Sequence, residues 1–254
     1  MKENFNLYSQ YYDLLYHDKT YSTEVEYVAK EILKSNTDAK NILELGCGSG
    51  GHASYFSEKG FHITGIDQSE TMIDAGQKKA IPNFEAKVGN IVNFELNQKF
   101  DAAISLFHVI SYLTSNADLR SCFETVNRHL NSNGVFIFDL WFTPSVYHLK
   151  PESRVKKFEN DAIKVERTSK SVMDLIENTI DVHFDIQIEH KSTGEHAFLQ
   201  ENHLMRHFSI PEIDLLASLS GFEIIKCEEL VSKNEPSLET WAVCFVLKKI
   251  KNMQ

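Results

Sequence analysis

Apolar residues recur along the first half of the chain in two alternating rhythms. Val25, Val28, Ala29, Ile32 and Leu33 fall at helical spacing, so residues 22–35 predict an amphipathic helix. Residues 41–46 are a short apolar run read as a buried strand, and a glycine-rich loop follows. "HASYFSEKG" predicts a helix ending at Gly60 as its C′ residue. "FHITGID" predicts a second strand, and "SETMIDAGQKKA" a helix with Ser69 at its N-cap. "FEAKVGN" and "FDAAISLF" predict the third and fourth strands. "ADLRSCFETVNRHL" predicts a helix with Leu119, Phe123, Val126 and Leu130 on one side, and "NSNGVFIFDLWF" turns into a fifth strand. Strands alternating with helices predict a parallel sheet covered on both faces.

The period changes after Pro151. In "NTIDVHFDIQIEH", Ile180, Val182, Phe184, Ile186 and Ile188 fall on one side and Asp181, His183, Asp185, Gln187 and Glu189 on the other. That strict alternation predicts a half-buried antiparallel strand. "KSTGEH" reads as a hairpin turn, with "AFLQENHLMRHF" returning from it. "SIPEIDLLASLSGF" predicts a helix with Pro211 near N1, and "EIIKCEEL" with "TWAVCFVLKK" a closing hairpin at the edge of the main sheet. The expected organisation is one domain from residues 1–150 and 209–254, interrupted by an antiparallel subdomain at 151–208.

Composition narrows the function. The chain has 254 residues and a formal net charge of −10, which argues against a nucleic-acid partner needing a basic footprint. The four cysteines, Cys47, Cys122, Cys227 and Cys244, show no zinc-ligand spacing and read as reduced thiols of a cytoplasmic protein. The first residues carry no continuous apolar segment, so no signal peptide is expected, and no apolar run is long enough for a membrane span.

The loop "NILELGCGSGGH" at 41–52 fits two glycine patterns. Gly46, Gly48 and Gly51 satisfy the dinucleotide fingerprint, while Gly46, Gly48 and Gly50 satisfy G-x-G-x-G. Asp67 sits where either cofactor would offer a ribose. Glu44 separates them, because a carboxylate beside a pyrophosphate in a partly dry site costs several kcal/mol. A cofactor with a cationic end, such as S-adenosylmethionine, suits Glu44 better.

"ILELGCGSGGHA" resembles the first motif of class I S-adenosylmethionine-dependent methyltransferases, and "GIDQSETMIDAG" the second. "VGNI", "FDAAISLFHVISYL" and "HLNSNGVFIFDLWF" resemble the later motifs, with Asn90 where the family usually has an acid. The resemblance implies a Rossmann-like, doubly wound, seven-stranded mixed sheet with helices on both faces, plus the inserted antiparallel sheet. It assigns to the cofactor Tyr21, Glu44, Gly46, Cys47, Gly48, Gly50, Asp67 (ribose), Gln68, Met72 (adenine), Asn90, Ile91 and Leu106. "YYDLLYHDKTYSTE", "LFHVISYL" and "FDLWFTP" resemble the N-methyltransferases of nucleotide-linked deoxyamino sugars. A Gly-Arg-Gly of that family is here Glu239-Thr240-Trp241, a departure that bears on the acceptor.

By the same resemblance Tyr16 reaches the substrate amine, with Tyr12 nearby; the plain alternative for Tyr11 and Tyr12 is aromatic core. His108 and Tyr112 follow the fourth strand and are candidate catalytic residues, against the alternative of buried structural groups. Asp139 at the end of the fifth strand is a candidate for orienting the acceptor, against a turn acid. Trp141, His203 and Arg206 are candidate substrate residues. His203 and Arg206 should face opposite ways on a regular strand, and Arg206 is the preferred pocket residue because it suits a phosphate or carboxylate. Cys47 reads as a small packing residue, and Asp181, His183 and Asp185 as a solvated face rather than a metal site. Residues 150–170 hold seven cations against four acids, a local +3 that would attract a nucleotide diphosphate or simply be solvated.

The expected activity is methyl transfer from S-adenosylmethionine, leaving S-adenosylhomocysteine, to the amine of a nucleotide-linked amino sugar. O-methylation of a sugar or other small metabolite is the alternative within the class. An NAD(P)-dependent oxidoreductase or a non-catalytic cofactor-binding module are alternatives outside it. A homodimer is possible.

Overall fold

A computed structural model describes Leu14 and residues 20–253. Its main sheet has seven strands and a second sheet has four. The first half runs α1 (Tyr21–Ser35), β1 (Asn41–Leu45), α2 (Gly51–Glu58), β2 (His62–Asp67), α3 (Glu70–Lys78), β3 (Phe84–Val88), β4 (Phe100–Ser105), α4 (Asn116–His129) and β5 (Leu130–Trp141). Then come α5 (Thr143–Leu149), β6 (Arg154–Glu159), β7 (Ile163–Asp174), β8 (Thr179–His190), β9 (His196–Arg206), α6 (Ile210–Leu219), β10 (Phe222–Glu228) and β11 (Ala242–Lys249).

The central strands are apolar on both faces because each face meets a helical layer. Leu43 and Leu45 of β1 join Phe136, Phe138 and Leu140 of β5 in a core that includes Leu119, Phe123 and Val126 of α4 and Ile213 and Ala217 of α6. Ile42, Ala102, Ile104, Val135 and Ile137 point the other way, into a core with Val25, Val28 and Ile32 of α1 and Ala53 and Phe56 of α2. Side-chain alternation along a strand thus sorts neighbouring residues into two layers.

Strands β5, β4, β1, β2 and β3 pair in parallel, and β11 runs antiparallel to both β5 and β10. The closing hairpin does lie at the edge. The chain winds outward from β1 to β3 and then returns to place β4 on the other side of β1. That reversal opens a crevice beyond the carboxyl ends of β1 and β4. The glycine loop and the segment after Ser105 meet there.

The second sheet is antiparallel throughout, and the alternation expected from 178–190 is β8. Ile163, Val165, Ile186 and Ile188 form its own small core. Val146, Ile180 and Val182 form another, with Trp141 and Trp241 against it, where the sheet meets the end of β5. The sequence pattern did not separate β6 from β7. It also missed α5 and a 3-10 turn at Val109–Tyr112, each too short to show a period.

His207 marks the return from the second sheet. It is fully buried, its Nδ1 lies 2.9 Å from Thr143 Oγ1, and its Nε2 has no hydrogen-bond partner among the described residues. Burial pushes its pKa down to about 4, with Glu212 opposing and Arg206 assisting. The unfolded chain therefore binds a proton here between pH 6.5 and about 4 that the folded chain refuses. Stability from this site is present above pH 6.5 and lost as pH falls, by about 2 kcal/mol between pH 7 and pH 5. Urea titrations should show His207→Asn losing correspondingly less over that interval. An equal loss in both proteins would rule out His207 as the source.

Candidate active site

A cavity of about 680 Å³ occupies the crevice at the switch point. The glycine loop, the ends of β2 and β4 and the inner face of the second sheet line it. Its size is that of a small-molecule site.

The loop's shape comes from its glycines. Gly46, Gly48 and Gly50 have φ of 67°, 52° and 79°, a region L side chains rarely adopt. A Cβ on Gly46 would also sit 2.6 Å from the Val109 methyls. Gly51 instead begins α2 with an ordinary φ. The three left-handed turns belong to G-x-G-x-G, not to the fingerprint running through Gly51. Gly46 N–H and Cys47 N–H donate to Ile66 O at 2.7 and 3.2 Å. Gly48 N–H donates to Asp67 Oδ2 at 2.8 Å, and Ser69 N–H to Asp67 Oδ1 at 2.8 Å. Asp67 therefore braces the loop while bordering the cavity.

Tyr21, Gly46, Cys47, Gly48, Asp67, Gln68, Met72, Asn90, Ile91 and Leu106 all line the cavity. Burial, with help from the Glu44 and Asp67 carboxylates, holds the Cys47 thiol protonated far above its ordinary range, so it is no nucleophile. Asn90 Oδ1 accepts from Val92 N–H at 2.9 Å, which turns the chain after β3. Glu44 and Gly50 are not on the cavity wall. Strand alternation sends Glu44 toward α1 and α2, where Oε1 lies 3.7 Å from His52 Nδ1. His52 Nε2 in turn lies 2.6 Å from Glu24 Oε2, and the Tyr21 ring meets His52 edge-on at 4.9 Å. Sequence reading missed this carboxylate–imidazole–carboxylate chain beneath the loop. Only the fold brings positions 24, 44 and 52 together.

The other half of the cavity carries the groups suited to proton transfer. Phe107 and His108 both have positive φ, 69° and 63°, an uncommon conformation for two successive side-chain-bearing residues. Asp139, 2% exposed on β5, holds that turn: its Oδ1 accepts from His108 N–H at 3.2 Å and its Oδ2 lies 2.6 Å from His108 Nδ1. Nδ1 makes no hydrogen bond among the described residues, so acid and ring form a close ion-pair contact rather than a hydrogen-bonded one. Tyr112 OH lies 2.7 Å from His203 Nδ1, and His203 Nε2 lies 3.2 Å from Glu201 Oε2. Glu201 Oε1 is buried without a hydrogen-bond partner among the described residues. Trp141 completes the wall, edge-on to Trp241 at 5.5 Å.

The preference for Arg206 over His203 is corrected. Glu201, His203 and Met205 share the cavity face of β9, and Arg206 points away. Its guanidinium donates to Thr114 O at 3.2 Å, Asn116 Oδ1 at 2.7 Å and Glu212 Oε1 at 3.3 Å, so it clamps the strand end to α4 and α6. Glu201 was legible in principle, since it lies two residues from His203 on the same face. Arg167 and Phe184 also line the cavity from β7 and β8. Tyr11, Tyr12 and Tyr16 lie outside the described residues. On the outer face, Asp181 pairs with His183 and Asp185 with Lys170.

The expectation from Glu44 is corrected, because its carboxylate turns away toward His52. A loop of positive-φ glycines braced by Asp67 nevertheless brings bare backbone to the cavity, as S-adenosylmethionine requires. Comparison with known proteins agrees. Residues 42–134 match the family described as a methyltransferase domain. A dTDP-3-amino-3,4,6-trideoxy-α-D-glucopyranose N,N-dimethyltransferase of Streptomyces venezuelae is 25% identical over 215 residues, covering 84% of this chain and 89% of the relative. An S-adenosylmethionine-dependent methyltransferase from Clostridium acetobutylicum shares the fold with a TM-score of 0.81 at 18% identity, over 97% of this chain and 99% of its own. A sugar N-methyltransferase from Streptoalloteichus does so at 0.81 and 21% identity, over 94% and 93%. The chain carries a methyltransferase domain and is an S-adenosylmethionine-dependent methyltransferase.

Proposed function

We propose that the methyl group goes to the amine of an amino sugar carried on a nucleotide. The observation that carries this reading is the join of two half-sites in one cavity. The glycine loop forms one end, and His108, Tyr112 and the inner face of the second sheet form the other. The names of relatives that methylate amino sugars support the same choice of acceptor.

S-adenosylmethionine supplies an electrophilic methyl when bound. The protein's contribution is then to place an amine in line with it and to exclude water. Residues 151–208 act as the subdomain that covers the acceptor, and residues 1–150 with 209–254 hold the donor. His108 Nε2 takes the proton that the amine must lose, and Asp139 positions the ring and stabilises its charged form. Tyr112, His203 and Glu201 orient the acceptor's polar groups. Tyr12 and Tyr16 are proposed to reach the acceptor from the N-terminal segment.

O-methylation is the second reading, and the His108–Asp139 pair itself favours it, because a hydroxyl needs a base more than an amine does. A labelled-methyl assay against nucleotide-linked amino sugars and their hydroxyl counterparts separates the two. The first reading expects turnover on the amines alone. Turnover confined to hydroxyl acceptors would replace it with the second.

A further inference from the structure

We propose that Arg167 is the anion anchor of the acceptor site, holding a phosphate or diphosphate group on the sugar. The inference rests on the amino-sugar reading above and adds a residue to it.

Arg167 is the sole lysine or arginine bordering the cavity among the described residues. Its neighbours on the second sheet behave differently. Lys157 pairs with Glu166 at 2.8 Å, Lys164 with Glu189 at 3.8 Å and Lys170 with Asp185 at 3.8 Å, so their charges are met within the protein. Arg167 points to the opposite face and has no carboxylate partner there among the described residues. Its guanidinium lies over the Phe184 ring at 4.6 Å and near Phe158 at 5.9 Å. Stacking fixes the plane of the guanidinium while leaving its N–H edge available, the geometry that suits a bidentate oxyanion.

The cross-strand register sharpens the case. Lys156 of β6 stands directly opposite Arg167 of β7, so two cations share one face. Like charges in that position are destabilising without an anion between or above them. A chain of net charge −10 has many acids that could have stood there. The approach to β11, Glu239-Thr240-Trp241, offers no cation either, and none of these residues lines the cavity.

The rows of the sheet set the polarity of the acceptor. Arg167 pairs with Ile186 and Leu199, the next row holds Ser169, Phe184 and Glu201, and the next Ser171, Val182 and His203. Arg167 thus lies four residues, roughly 13 Å along the backbone, from the row of His203. Less the reach of its side chain, that interval is of the order of one sugar ring plus a phosphate. The phosphate end lies over Phe184, and the amine end over His203 and His108.

The shared chemistry is a phosphate ester, and its source is either a nucleotide or a simple sugar phosphate. Binding of thymidine diphosphate, thymidine and glucosamine 1-phosphate should be measured by calorimetry on the S-adenosylhomocysteine complex of wild type, Arg167→Met and Arg167→Lys. The expected result is a tenfold or greater loss of thymidine diphosphate affinity in Arg167→Met, a smaller loss in Arg167→Lys, and unchanged S-adenosylhomocysteine binding. Thymidine diphosphate binding wild type and Arg167→Met equally would overturn the assignment and leave the nucleotide-sugar reading standing. Arg167-dependent binding of glucosamine 1-phosphate alone would keep the anchor and discard the nucleotide. Failure of both phosphates to bind wild type would overturn both.

Discussion

Asp139→Asn is expected to lower kcat about a hundredfold, within the range of a lost general base, with S-adenosylhomocysteine affinity unchanged. The effect is indirect and chemical. Asp139 is buried, accepts the backbone N–H of His108 and lies 2.6 Å from the Nδ1 of its ring. An asparagine in its place can satisfy the backbone N–H through its carbonyl, but it turns an N–H₂ toward the ring. The ring answers by accepting at Nδ1 and moving its proton to Nε2, so the nitrogen meant to take the acceptor's proton becomes a donor. The strained pair Phe107–His108 also loses a charged brace. His108→Asn should fall by a similar factor, and the double variant by little more, because both remove one unit. Steady-state kinetics with the best acceptor measures this. Unchanged kcat in Asp139→Asn would confine the pair to holding the turn and would leave approximation alone to drive the transfer.

The site was legible in the sequence where it follows the order of the chain. The glycine loop, Asp67 at the end of β2 and the segment after β4 lie at strand ends, and a parallel α/β sheet gathers strand ends into one crevice. Hydrophobic period read the layers equally well: Leu43 and Ile42 went to opposite cores because a strand alternates. What could not be read was any pairing across elements. Nothing in "GGHAS" signals that His52 stands between Glu24 and Glu44. Nothing near Tyr112 signals His203, since their contact spans 91 residues and two sheets. Arg206 misled for a related reason. Its charge suggested a ligand, but at a strand end it found Thr114, Asn116 and Glu212 first. Arg167 was hidden inside a basic stretch in which Lys157, Lys164 and Lys170 pair outward. Alternation along β7 would have singled it out once that strand's bounds were known.

The largest effect on cofactor binding is expected from Gly46→Ala, which should weaken S-adenosylhomocysteine binding at least tenfold and lower folding stability by about 2–3 kcal/mol. Two costs combine at this position. The φ of 67° is left-handed, a region where a Cβ costs about 1 kcal/mol. The new methyl would also lie 2.6 Å from Val109 Cγ1 and Cγ2, so the loop and the 3-10 turn beyond β4 cannot both keep their places. That turn carries the strained His108 at its start, so displacement of Val109 spreads to the acceptor side of the cavity. Two further variants separate the costs. Gly60→Ala has the same kind of backbone strain, φ 85°, with nothing within 4 Å of the added carbon. It should lose about 1 kcal/mol of stability and keep its ligand affinity. Val109→Ala in the Gly46→Ala background should recover part of the affinity, because it relieves the contact and not the φ. Calorimetric binding and urea midpoints for the three proteins decide the matter. If Gly46→Ala binds as wild type does, the close approach of the loop to Val109 plays no part in shaping the donor site.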